Sequence, residues 1–183
     1  MLKRLSFFLL LLSCLFIQCK SKLFADKKHK IAVVVSTLNN PWFVFGKGRV
    51  IMEGNDVAII ANGETVYPAV KAAEKLKAEG IAATVVSMHT IKPLDTELVL
   101  SLARTHKTMI TVEEHSVHGG LGEAVASVLM QHKSPSLGGV WGGSFKIIGI
   151  PDEYTVTGPQ QDIFSHYGIS EKGIADVVLD LIK

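Results

Sequence analysis

The chain has 183 residues, 48% of them hydrophobic, and a formal net charge of +2. That length fits one domain plus an appendage. The charge is unevenly spread: residues 1–30 hold seven Lys/Arg against Asp26 alone, and residues 31–183 are net acidic. With no clustered Lys/Arg stripe in the body, a nucleic-acid surface is not indicated. The only two cysteines, Cys14 and Cys19, fall in the basic leader. A disulfide framework or cysteine-based zinc site is thereby excluded from the body.

The leader opens with Lys3 and Arg4, continues as the apolar run Phe7–Ile17, and closes at Lys20 and Lys22. A spanning helix needs about 20 apolar residues, so this run predicts a secretory signal peptide over residues 1–25, or a short membrane anchor. Cleavage is expected after Ala25. Leu-Leu-Ser-Cys14 and Phe-Ile-Gln-Cys19 both look like loose lipid-attachment boxes, making Cys14 and Cys19 lipidation candidates.

Next, Ile31–Val35 is a continuous β-branched and alanine run, the pattern of a buried parallel strand. It leads into Asn39-Asn40-Pro41-Trp42-Phe43. Residues 26–44 resemble the mature N-terminus of periplasmic ribose-binding proteins. That resemblance implies sugar contacts for Asn40, Trp42 and Phe43, although the two lobes that would build a cleft are missing.

From residue 45 onward, strand and helix signals alternate, which predicts an α/β domain with a mostly parallel sheet. Asp56–Asn62 reads as a short apolar strand. Glu64–Glu79 places Val66, Ala69, Val70, Ala73 and Leu76 at helical spacing, with Gly80 as the stop. Ile81–Met88 is the next strand. Leu94–Arg104 is a helix with Asp95 placed as its N-cap. Lys107–Val112 is a third strand, Glu123–Gln131 a helix, Phe145–Ile150 a fourth strand, and Ser170 starts a final amphipathic helix. Ser, Gly and Pro dominate 132–144, which predicts a surface insertion around a lone Trp141. His89, His106, His132 and His166 are scattered singles, expected on the surface or in packing.

Two segments single themselves out: Met88-His-Thr-Ile-Lys-Pro-Leu-Asp95 and Thr111-Val-Glu-Glu-His-Ser-Val-His-Gly-Gly-Leu-Gly-Glu-Ala-Val125. Glu113, Glu114, His115 and His118 are metal-ligand types, but on a strand-to-loop turn they would point in different directions. Gly119, Gly120 and Gly122 would expose helix N–H groups, a start that favours an anion. Equally, they would make the turn and let helix and strand pack closely. Glu113, Glu114, His115, Gly119, Gly120 and Gly122 are therefore the candidate anion or interface loop.

These segments, together with Phe45–Val50, Glu53–Ala61, Ile148–Gly158 and His166–Ser170, resemble the C-terminal domain of transketolase over residues 45–183. The same domain closes deoxyxylulose-phosphate synthases and 2-oxo-acid dehydrogenase β subunits; the His-Thr-Ile-Lys-Pro-Leu-Asp and Glu-Glu-His forms favour transketolase. The resemblance implies a three-layer α/β fold with about five strands, mostly parallel, flanked by helices. It implies thiamine diphosphate and a divalent metal for a complete enzyme, held by other domains, with no catalytic, cofactor or metal residues here. The expected role is dimer assembly, with a transketolase N-terminal subunit or a second copy as partner. Two alternatives stand beside it: an exported or lipid-anchored sugar or small-anion binding module, and a non-functional fusion of two genes. Leader and body imply opposite compartments.

Overall fold

A computed structural model describes residues 47–132 and 141–183. The predicted leader, Cys14, Cys19, Asn40, Trp42, Phe43 and most of the predicted insertion lie outside the described residues. The sheet has five strands in the order β1-β3-β2-β4-β5. They are β1 (Arg49–Met52), β2 (Val57–Ala61), β3 (Ala83–Ser87), β4 (Thr108–Ser116) and β5 (Ser144–Ile150). Every neighbouring pair is parallel except β1 with β3. This is the α/β architecture expected from the sequence.

Central β2 is Val-Ala-Ile-Ile-Ala and wholly buried, because helices cover both of its faces. On one face, Val57, Ile59, Val85, Ile110 and Val112 pack under α1 (Val66–Ala78) and α5 (Glu171–Ile182). On the other, Ala58, Ile60, Val86 and Met109 pack under α2 (Thr96–Thr105) and α3 (Leu121–Gln131). A short α4 (Gln160–His166) precedes α5 and contains no buried residue.

Local sequence explains the helix ends. Pro68 lies in the first turn of α1, where its missing N–H is not needed. At the other end Gly80 adopts φ 82°, and the Gly80 and Ile81 N–H groups donate to Lys77 O and Leu76 O at 3.1 and 2.9 Å. That pairing is a Schellman closure, with Ile81 packed on the core. Asp95 caps α2 as expected, accepting from Leu98 N at 3.0 Å. Its second oxygen accepts from Gly48 N, also at 3.0 Å, which ties the approach to β1 to the start of α2.

Two findings depart from the sequence reading, the setting of Trp141 and the length of β4, while His106 takes the packing role open to it. Trp141, expected in a surface insertion, is buried against the α2/α3 side of the sheet and donates its indole N–H to His106 O at 3.3 Å. His106 is itself buried, with ring nitrogens 3.0 Å from Gly54 O and 3.1 Å from Leu102 O. And β4 runs on past Val112 to Ser116, where it pairs with Ile150 of β5 after an irregularity in register. Glu113, Glu114 and His115 are consequently strand residues rather than loop residues.

Candidate functional site

The strand period of two decides where the Glu-Glu-His motif points. Met109 belongs to the α2/α3 core and Ile110 and Val112 to the opposite one, so Glu113 faces α3 and Glu114 faces away. Glu113 is completely buried. Its carboxylate oxygens accept from Leu121 N at 2.7 Å and Gly122 N at 2.8 Å. The first turn of a helix has N–H groups without intrahelical partners and a partial positive charge, and a buried carboxylate satisfies both. The amides an external anion would use are thus already held by a side chain from within.

The glycines make that arrangement possible. A Cβ on Gly120 would sit 1.9 Å from Glu113 Oε2, and one on Gly122 would sit 2.4 Å from Ile147 Cγ2. Neither position has room for a methyl group. Gly119 is different: it has open space around it but a φ of 74°, a left-handed turn that glycine adopts without strain. Its N–H donates to Glu123 Oε2 at 2.8 Å, and Glu123 Oε1 lies 3.1 Å from His118 Nδ1. The Gly119 N–H, followed by His118, holds the exposed Glu123 carboxyl below the usual carboxylate range.

The outer members of the motif diverge. Glu114 reaches Gln160 Nε2 of α4 at 3.4 Å, while His115 is exposed with Nδ1 2.9 Å from Ser116 O. Among the described residues no three His, Cys, Asp or Glu side chains are placed to hold a metal ion. The one buried carboxylate of the motif is committed to helix amides. Glu123 and Gln160 complete the corner and were not singled out from sequence. The Glu123 signal was present: a carboxylate four residues after Gly119, in the first turn of α3. The open groove beside α1 and α5, lined by Tyr67, Phe164 and Lys172 among others, lies on the other face of the sheet.

The domain is a three-layer α/β unit with one antiparallel edge strand, in which Glu113 at the end of β4 caps a glycine-bounded helix. The family model described as transketolase, C-terminal domain, matches residues 46–174, and the chain belongs to that family. It is 43% identical over 141 residues to a subunit of the apulose-4-phosphate transketolase of Phocaeicola vulgatus, covering 77% of this chain and 42% of the relative. It is likewise 43% identical over 138 residues to 1-deoxy-D-xylulose-5-phosphate synthase 1 of Geobacter metallireducens, covering 75% of this chain and 21% of that protein. The chain thus spans about two fifths or less of these curated relatives.

Among solved structures, one described as a split gene transketolase, inactive beta4 tetramer, superposes with a TM-score of 0.65 at 38% identity, over 75% of this chain and 42% of that one. A transketolase of Pichia stipitis shares the fold at a TM-score of 0.53 and 22% identity, over 75% of this chain and 18% of that one.

Proposed function

We propose that residues 45–183 serve as the C-terminal domain of a thiamine-diphosphate-dependent ketol transferase and contribute to subunit assembly rather than to its chemistry. The observation that carries this reading is the use made of Glu113. The most acid-like feature of the motif is spent on closing the β4–α3 corner, which makes the motif architectural. Thiamine diphosphate and its divalent metal belong, on this reading, to domains supplied by a transketolase N-terminal subunit. The likeness to a split transketolase described as an inactive tetramer supports both self-association and inactivity alone.

The test is isolation of the protein from its native cells, followed by native mass measurement and a ketol-transfer assay with added thiamine diphosphate and Mg²⁺. Co-purification with a chain carrying thiamine-binding domains is expected, with activity only in that complex. Ketol transfer by the chain alone would overturn the proposal. The same measurement tests the leader assigned to residues 1–25: a mature mass beginning near Asp26, or a lipid on Cys14 or Cys19, favours the exported binding module instead.

A further inference from the structure

Two exposed surfaces of the domain are complementary to each other and not to their own surroundings. The first is β1 at one edge of the sheet. Lys47, Arg49, Val50 and Ile51 are all exposed there, Val50 by 40% and Ile51 by 43%. Among the described residues nothing covers this strand, whose β-branched pair follows two cations, whereas edges are normally blunted or covered. The bulge between Val50 and Met52 limits how far main-chain pairing could extend along it. Side-chain contact must then do much of the holding.

The second surface leaves β5, at the opposite edge. Every residue from Pro151 to Gln161 is exposed, and Tyr154 makes so little contact that its relative exposure is 103%. This arm carries Asp152, Glu153, Tyr154 and Val156, and no Lys or Arg occurs between Pro151 and Ser170. It is nonetheless held in place, since Tyr167 Oη accepts from Val156 N at 3.2 Å. Among the described residues, none of Lys47, Arg49, Asp152 or Glu153 takes part in an ion pair. The segment offers one aromatic anchor, Tyr154, beside a charged rim of Asp152 and Glu153, the parts from which a docking surface is built.

We infer that the Asp152–Val156 arm of one copy docks on the Lys47–Ile51 edge of a second copy of this chain. Asp152 and Glu153 meet Lys47 and Arg49, while Tyr154 and Val156 cover Ile51. The two surfaces leave from opposite edges of a five-stranded sheet, roughly 19 Å apart at about 4.8 Å per strand. One copy's arm can therefore meet a second copy's edge reciprocally, as a closed pair, or head-to-tail, as a ring or filament. This inference rests on the assembly role proposed above, but concerns only contacts between copies of this chain.

Sedimentation velocity of the purified full chain from about 1 to about 100 µM tests it without any other subunit. Concentration-dependent association that weakens with added salt is expected. Asp152→Lys with Glu153→Lys should weaken it by about tenfold or more, and so should Lys47→Glu with Arg49→Glu. Mixing the two charge-reversed proteins should restore association. Tyr154→Ala should weaken it without changing the salt dependence. All these side chains are exposed, and an unchanged circular dichroism spectrum verifies that each variant folds. A monomer across the whole range, or an oligomer indifferent to both charge reversals, overturns the inference. Either result leaves co-purification with a thiamine-binding chain, the test of the assembly role, free to succeed or fail separately.

Discussion

Replacing Glu113 by Gln removes the charge at the start of α3 while keeping nearly the same shape. Two N–H groups, those of Leu121 and Gly122, point at the carboxylate from 2.7 and 2.8 Å. A carboxamide offers one oxygen and one NH₂, so one of these buried donors would face another donor. An unsatisfied buried N–H costs about 1–3 kcal/mol, and the lost charge at a helix N-terminus about 1 kcal/mol more. The expected destabilisation is about 2–4 kcal/mol, a large share of the stability of an ordinary domain. Urea unfolding of the full chain measures it, with Glu114→Gln as the exposed control expected within about 0.5 kcal/mol of wild type. Hydrogen exchange supplies a local readout: the Leu121 and Gly122 amides should lose protection in Glu113→Gln before the sheet does. If Glu113→Gln matches its control in urea and leaves both amides protected, the carboxylate does not hold the corner.

Other positions test the same architecture. Gly122→Ala drives a methyl group into the Ile147 side chain and should destabilise by about 1–3 kcal/mol, with the double variant Gly122→Ala/Ile147→Ala losing less than the sum of the two single variants; additive losses would refute the steric account. Asp95→Ala removes a helix cap and the acceptor of Gly48 N together, for an expected loss of about 1–2 kcal/mol in thermal or urea unfolding. For Glu123 the sign follows from its lowered pKa: the folded form favours the carboxylate, so its contribution is present above the ordinary carboxylate range and fades as pH falls through the folded value. A side-chain NMR titration of Glu123 with a midpoint at or above that of a free glutamate would contradict the Gly119 contact.

Elements with strong local signals were legible in the sequence. The apolar run of β2, the alanine face of α1 with its Gly80 stop, and the Asp95 cap are each written within a few consecutive residues, and each is found where expected. What local pattern does not carry is partnership across the fold. Glu113 reads as a loop acid because its partners, eight and nine residues away, become neighbours only when α3 folds back on β4. Trp141 reads as a surface residue because glycines surround it in sequence, whereas its packing surface comes from α2, α3 and β4. Strand β1 and helix α4 escaped notice for a simpler reason: they bury little, so they leave no periodic apolar signal.

The completeness of the β4–α3 corner bears on how quickly the domain can recognise anything. Loops whose amides await a ligand become ordered during binding, and that ordering costs entropy and slows capture. Here Glu113 and Glu123 already hold the amides of Gly119, Leu121 and Gly122. The corner presents a finished surface, so a docking partner meets in the free domain the shape it will hold in the complex.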